Sequence, residues 1–165
     1  MSTPPTFEQV RALPRLLQRD VPAHFADANG HMNIVRYMEL YNEATWTAMA
    51  AFGLGESDAA AGRAASMAVE HHVRYLREVH VGDVVACHVR VVGRSSKAVH
   101  QLYLLANVTT GVLASTLETL ELSVDLAARR VAPFPAHVAE LLDARIAVDE
   151  ALPWTSPTSG AIRAR

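Results

Sequence analysis

The chain has 165 residues, of which 50% are hydrophobic, so one domain with a sizeable core is expected. Its 15 basic and 17 acidic side chains leave a formal charge of −2, which excludes the basic excess typical of nucleic-acid-binding proteins. No stretch approaches the ~20 apolar residues of a membrane helix. The single cysteine, Cys87, cannot form an internal disulfide, and the N-terminus lacks a secretory pattern. We therefore expect a cytoplasmic protein that binds neither nucleic acid nor membranes.

The first third of the chain predicts a short helix, an extended segment and one long helix. Residues 6–12 carry the capping-box pattern of a helix start. Residues 15–25 favour an edge or bulged strand, because Pro22 interrupts them. From 34 to 52 apolar residues recur at steps of three and four, as on a helix with one buried face. A long helix with one apolar face needs a sheet or other helices to cover it.

The rest of the chain changes to a period of two. Four extended runs are separated by short turns, at 67–77, 84–93, 98–108 and 112–126. Their close spacing predicts an antiparallel meander, followed by a terminal helix over 136–147. The fold class is therefore α+β, a curved antiparallel sheet around one long helix, within a single domain over 1–152. We expect the polar tail, 153–165, to be mobile.

The stretch FADANGHMNIVRY (25–37) places Asp27 and Gly30 where the extended run gives way to the long helix. Spacing alone favours a simple turn, in which His31 or Asn33 caps the helix. The alternative is chemical. Free N–H groups at the helix start would stabilise a carbonyl oxygen that gains negative charge, while Asp27 attacks the carbonyl carbon or activates water. This second arrangement suits hydrolysis of an ester or thioester without a metal.

DANGHMNIVRY (27–37) resembles the D-x-x-G-H-x-N-N-x-x-Y motif of hotdog-fold acyl-CoA thioesterases of the 4-hydroxybenzoyl-CoA thioesterase type. HHVRYLREVHVGD (71–83) is similar to a strand of that family and the turn after it, and the resemblance spans roughly residues 16 to 126. It implies a hotdog fold, with the sheet wrapped around helix 33–52. It also implies a homodimer or a homotetramer, with active sites at the subunit interface.

The resemblance also implies roles for individual residues. Asp27 matches the catalytic carboxylate, as nucleophile or general base, and the backbone N–H near Ile34 matches the group that polarises the thioester carbonyl. The other motif positions are expected to support the turn or the substrate, and they are Gly30, His31, Asn33 and Tyr37. Coenzyme A is implied as part of the substrate, and no separate cofactor is expected.

The chain departs from the family pattern at two places. Ile34 replaces the second Asn of the motif, which keeps the backbone donor but removes a side-chain contact. The turn GRSSK (93–97) has one basic residue, Lys97, at a position where the family binds nucleotide phosphates, with Arg94 nearby. Lys97 is equally well explained as a solvated turn residue.

Glu118 is the most unusual charge in the sequence, because it alternates with apolar residues of the last long strand. His71 lies on a similarly apolar face, so a Glu118–His71 pair lining the acyl pocket is one interpretation. The other, slightly favoured, is that the strand twists and exposes Glu118. The histidines suggest no metal site, because there is no H-E-x-x-H motif and adjacent residues of a strand face opposite ways.

The sequence therefore predicts an acyl-CoA thioesterase that acts on a small acyl group. A weaker similarity, over VDLAARRVAPFP (124–135), points to the betainyl-CoA thioesterases linked to carnitine breakdown. Two alternatives stay open. One is a hotdog hydratase or dehydratase acting on an enoyl or hydroxyacyl thioester, with His31 in a catalytic role, and the other is a non-catalytic acyl-CoA-binding module.

Overall fold

The computed structural model describes residues 4–61 and 64–164. These residues form one antiparallel sheet, one long helix and three shorter helices. The helices are α1 (Phe7–Arg11), α2 (Ile34–Ala51), α3 (Glu56–Ala60) and α4 (Ala136–Glu150), and a 3-10 turn lies at Ala23–Phe25. The strands are β1 (Arg15–Asp20), β2 (Ala64–Tyr75), β3 (Val84–Arg94), β4 (Ala98–Asn107), β5 (Val112–Asp125) and β6 (Arg130–Val131).

The sheet is a meander with its first two strands at opposite edges. The strand order is β1-β3-β4-β5-β2, and β6 pairs with the end of β5. The pairing of β1 with β3 and of β2 with β5 is antiparallel, as are the two hairpins between them. The long connection from β1 to β2 therefore carries α2 across one face of the sheet. This is the hotdog arrangement of the sequence analysis, and its α+β class is confirmed.

Helix α2 packs on the inner, concave face of the sheet because its apolar residues recur once per turn. Its buried side chains are Tyr37, Leu40, Tyr41, Ala44, Ala48 and Met49. Opposite them, β3 contributes alternate residues to the same core, namely Val85, Cys87 and Val89. Side chains at steps of two on a strand share one face, so the two periods meet in a single core.

The outer face of the sheet is also covered. Val10 and Leu13, in and just after α1, pack against Leu102 and Leu104 of β4. Thr6 caps α1 in the predicted capping box with Gln9. The sheet is thus buried on both faces along its central strands, which explains why every residue of β4 is buried.

The segment after α4 lies against this outer face, although its polar composition predicts a mobile tail. The guanidinium of Arg90 lies 4.2 Å from the centroid of the Trp154 ring and donates a 2.7 Å hydrogen bond to the Trp154 carbonyl. Further along, the Ser159 N–H donates to Glu118 Oε2 at 2.6 Å, and Ile162 is buried. These contacts hold the segment on the sheet, while its mobility in solution stays a prediction.

Helix α4 occupies the part of the sheet that β1 leaves open. Strand β1 pairs with β3 only as far as His88, so later N–H groups of β3 have no strand partner on that side. Asp149 fills this position, because its Oδ2 accepts a 2.8 Å hydrogen bond from the Val91 N–H. The carboxylate also pairs with Arg145 one turn earlier on the helix. No helix in the described ranges is long and apolar enough to cross a membrane.

Candidate active site

A tight turn between β1 and α2 holds the candidate catalytic carboxylate. The Gly30 N–H donates to the Asp27 carbonyl and the Asp27 N–H donates to the His31 carbonyl, both at 3.0 Å. Gly30 has a φ of 84°, which a side chain at this position would disfavour. The turn that the sequence predicts is therefore present, and it fixes the backbone on both sides of Asp27.

The Asp27 carboxylate is oriented by its own loop. Its Oδ1 accepts a 2.8 Å hydrogen bond from the Asn29 N–H, and His31 Nδ1 lies 3.8 Å from the same oxygen. The Asp27 side chain keeps 20% of its surface exposed. Because only Oδ1 is bound by the loop, the carboxylate is held in one orientation and a small molecule can still reach it.

The start of α2 leaves one backbone donor free. Asn33 caps the helix, since its Oδ1 accepts from the Val35 N–H at 2.9 Å and its carbonyl accepts from the Arg36 N–H at 2.9 Å. Within the described part of the chain, the Ile34 N–H has no acceptor. This free donor is at the position that the sequence analysis assigns to the carbonyl oxygen of the substrate.

A pocket of about 360 Å³ opens beside this helix start. Tyr37 and Tyr75 form one wall, with ring centroids 5.1 Å apart in an edge-on arrangement. Burial raises the pKa of Tyr37 to about 12, so its phenol stays neutral at physiological pH. The pocket is lined by His31, Met32, Ile34, Tyr37, Tyr75, Leu76, Arg77 and Glu78. Asp27 is not in this lining, and His31 connects the carboxylate to the pocket.

The expected phosphate ligands lie at the other end of the sheet. Met32 in the site loop bonds to the Val79 carbonyl just before β3, whereas Arg94 ends that 11-residue strand, roughly 35 Å away at ~3.3 Å per residue. Arg94 is bound to both oxygens of Asp143 at 2.6 and 2.5 Å. Lys97 is exposed in the turn. Within one subunit, the structure does not bring Lys97 or Arg94 together with Asp27.

The predicted Glu118–His71 pair is absent, and the interpretation that Glu118 is exposed is also wrong. Glu118 is 1% exposed and bonds to His100 Nε2 at 2.8 Å, beneath the tail. The register explains the error, because His71 lies opposite Thr119 and Glu118 lies opposite His72. A one-residue difference in register moves a side chain to the other face. Glu118 therefore faces away from α2, and His71 faces toward α2.

Sequence reasoning missed the polar character of the inner face. Gln101 and Thr119 face each other on β4 and β5, and both are fully buried. Their Nε2 and Oγ1 atoms have no hydrogen-bond partner within the described residues. Glu121 is also buried on this face, and this burial raises the pKa of its carboxyl group despite a hydrogen bond with Ser66. The sequence signal for this polar face was a polar residue at every second position of β5, at Thr119, Glu121 and Ser123.

Neither the single cysteine nor a metal-ligand cluster competes with Asp27 among the residues that the structure describes. Burial holds the pKa of the Cys87 thiol well above its usual range, so the thiol stays protonated and unreactive. No group of three or more His, Cys, Asp or Glu side chains within 4–61 and 64–164 could hold a metal ion. Asp27 and its loop are therefore the strongest candidate for chemistry in the described chain.

Known proteins resemble this chain in sequence and in fold. The chain is 32% identical over 129 residues to an L-carnitine dehydrogenase/betainyl-CoA thioesterase of Agrobacterium fabrum, covering 78% of this chain and 26% of that protein. The protein of the same name in Rhizobium meliloti is 28% identical over 124 residues, covering 75% of this chain and 25% of the relative. The chain thus spans about a quarter of the length of these curated relatives.

A solved structure shares the fold over nearly the whole chain. A Staphylococcus aureus protein determined in complex with CoA superposes with a TM-score of 0.79 at 21% identity, covering 92% of this chain and 97% of that one. The profile of the Thioesterase-like superfamily matches residues 21–142, a range that includes the Asp27 loop, α2 and the four long strands. The chain therefore belongs to the thioesterase-like superfamily.

Proposed function

We propose that this protein hydrolyses acyl-CoA thioesters to a free acid and coenzyme A. The observation that carries the proposal is the pairing of the oriented Asp27 carboxylate with the free Ile34 N–H across one short loop. A thioester carbonyl placed between them would have its carbon near the carboxylate and its oxygen near the helix start. The superfamily and the names of the curated relatives support the same reaction class.

The Ile34 N–H and the Asp27 carboxylate have separate roles in the proposed reaction. As the carbonyl carbon is attacked, its oxygen gains negative charge, which the Ile34 N–H and the positive end of the α2 dipole stabilise. Asp27 acts either as general base, taking a proton from the attacking water, or as nucleophile, forming an anhydride that water then cleaves. In both routes the C–S bond breaks and the thiolate of CoA takes up a proton.

The pocket size and the relatives support a small acyl group. Tyr37 and Tyr75 present an aromatic wall, and an aromatic wall attracts a quaternary ammonium group. Betainyl-CoA, which the relatives' names specify, carries such a group. A betainyl or similarly compact acyl chain is therefore the first substrate to test.

The edge strand β2 supports self-association, to a homodimer or a homotetramer. β2 is 12 residues long, and one of its two edges has no strand partner in the described sheet. Met67, Val69 and Tyr75 on this strand are 47%, 54% and 49% exposed. A long apolar edge in a soluble protein favours pairing with another strand. A second copy of β2 is the occupant we propose.

The Asp27→Asn variant tests the mechanism. It keeps the size of the side chain and its acceptor for the Asn29 N–H, but it removes the negative charge. We expect the variant to fold and to lose at least about a hundredfold in kcat, because a positioned acid or base contributes on that scale. The measurement is thiol release from short, branched, aromatic and betainyl thioesters. Asp20→Asn, at an exposed position of β1, is the matched control and should keep full activity.

Three results would contradict the proposal. Full thiol release by Asp27→Asn would exclude Asp27 from the chemistry. Hydration of crotonyl-CoA without thiol release would instead indicate a hydratase. Binding of acyl-CoA with no turnover across the substrate panel would indicate a binding module.

A further inference from the structure

The candidate site continues into a surface path around one end of the sheet. The site pocket shares Leu76 and Arg77 with a second pocket of about 380 Å³, formed where the N-terminal segment meets the start of β5. That second pocket shares Phe7 with a third, of about 410 Å³. The third pocket contains Arg11 and Arg15. Three adjoining pockets thus connect the loop of Asp27 to two guanidinium groups on the outer side of the sheet.

The chemical character of the lining changes along this path. The middle pocket is largely apolar, with Pro5, Phe7, Val112 and Leu113 in its walls. The third pocket, called the basic pocket below, contains two arginines and no acidic side chain in its lining. Coenzyme A has the same order of parts, namely a thiol end, a mostly uncharged pantetheine arm and a nucleotide with phosphates. The pockets therefore match coenzyme A both in chemical character and in the order in which the parts follow one another.

Both arginines are available to bind an anion. Arg11 contacts Glu8 at 3.3 Å, in a pair whose side chains are 61% and 72% exposed, and such surface pairs are weak. Arg15 donates to the neutral Gln18 amide at 2.7 Å. By contrast, Arg94 is committed to a two-point ion pair with Asp143. Guanidinium groups bind phosphates with two parallel hydrogen bonds, so Arg11 and Arg15 are well suited to this ligand.

The dimensions of the path suit a ligand that starts at Asp27. From β2 to β1, the strand of Arg15, the path crosses four strand spacings, roughly 19 Å at ~4.8 Å each. The turn that holds Lys97 lies at the far end of β3, roughly 35 Å away along the strand. One ligand can therefore reach from the Asp27 loop to the basic pocket within a single subunit. Lys97 could contact the same ligand only from another copy of the chain.

We infer that Arg11 and Arg15 bind the phosphates of the coenzyme A nucleotide, with Phe7 packing against the adenine ring. The inference rests on the proposed thioesterase function, since it assigns the other end of the same substrate. Both arginines precede residue 21, so they lie outside the range that the superfamily profile matches. The N-terminal helix is then part of the substrate site as well as a cover for the sheet.

The test compares two substrates that share an acyl group, an acyl-CoA and the corresponding acyl-pantetheine. In the Arg11→Gln/Arg15→Gln variant we expect the KM for the acyl-CoA to rise tenfold or more, with kcat unchanged, because charge-assisted contacts to the phosphates are lost. Both kinetic constants for acyl-pantetheine should stay at the wild-type values. The control is Arg94→Gln/Lys97→Gln, which removes the same charge at the other end of the sheet and should leave both substrates unaffected.

Three results would overturn the assignment. They are an unchanged KM for the acyl-CoA, an equal loss with acyl-pantetheine, and a rise in KM confined to the Arg94→Gln/Lys97→Gln control. If the wild type hydrolyses no thioester, the proposed function fails by itself, and calorimetric titration with CoA and with pantetheine decides the binding site. Tighter binding of CoA than of pantetheine, lost in the Arg11→Gln/Arg15→Gln variant, would support it. Equal CoA affinity in variant and wild type would exclude it.

Discussion

Asp27 illustrates how a common turn residue becomes a candidate catalytic group. The loop binds one of its oxygens through the Asn29 N–H, and the helix start beside it leaves the Ile34 N–H without an acceptor. Turn and site are therefore the same structure, and the two interpretations of the sequence do not exclude each other. The turn, its glycine and a cap at His31 or Asn33 were predictable from local backbone requirements, whereas the catalytic role of Asp27 followed only from the resemblance to the thioesterase motif.

The buried carboxyl group of Glu121 leads to a prediction about how stability depends on pH. Burial raises the pKa of its carboxyl group above the ordinary value of 4.5, so the folded protein favours the protonated form. The stabilising contribution of that form is fully present below the pKa of the unfolded chain and is lost as pH rises through the folded pKa. We expect Glu121→Gln to match the wild type in Tm at acidic pH and to exceed it at neutral pH.

The measurement is the difference in Tm between the Glu121→Gln variant and the wild type at several pH values from 4 to 8. Glu140→Gln, at an exposed position of α4, serves as the control and should show no such trend. A constant difference across this range would mean that Glu121 has the same affinity for protons in the folded and unfolded chains.

Helix α2 depends on a single cap at the end that carries the candidate oxyanion donor. Asn33 Oδ1 accepts from the Val35 N–H, and no acidic side chain lies in the first turn. The cap holds the first turn in position, so the direction of the Ile34 N–H depends on it. The periodic pattern in the sequence located this helix, and the observed range Ile34–Ala51 confirms it.

We expect Asn33→Ala to lower the free energy of unfolding by about 1 kcal/mol, because the Val35 N–H loses its acceptor. Urea denaturation measures this change. Asn42→Ala is the control, since Asn42 is exposed on the same helix. Asn33→Ser, which keeps a capping oxygen, should recover most of the loss. Equal stability of the Asn33→Ala and Asn42→Ala variants would contradict a capping role.

At the scale of the whole molecule, the two edges of the sheet differ in kind. Where β1 ends, α4 takes its place beside β3, and Asp149 of α4 accepts a hydrogen bond from the Val91 N–H. β2 has no such cover within the described residues and exposes apolar side chains. The open apolar edge of β2 is therefore the surface on which the proposed self-association rests.

We expect the Met67→Lys/Val69→Lys variant to shift the protein toward the monomer, because two charges on the open edge repel a second copy of the strand. Light scattering coupled to size-exclusion chromatography measures the mass in solution. Val148→Lys adds a charge at an exposed site of α4, 57% accessible, and should leave the mass unchanged. A wild-type protein that is already monomeric would refute the β2 contact.

The sequence by itself determined what depends on neighbours along the chain. The helix and strand periods, the turn at Gly30 and a helix cap at His31 or Asn33 are local, so the α+β class and the turn could be predicted, whereas the catalytic role of Asp27 rests on the resemblance of 27–37 to the thioesterase motif. The partner of Glu118 could not, because it depends on strand register and on a tail 41 residues away in sequence. The position of Arg11 and Arg15 beside the site also required the tertiary structure. Packing of α1 on β4 and the closing of β2 onto β5 bring those residues to one end of the sheet, and no local pattern specifies such long-range contacts.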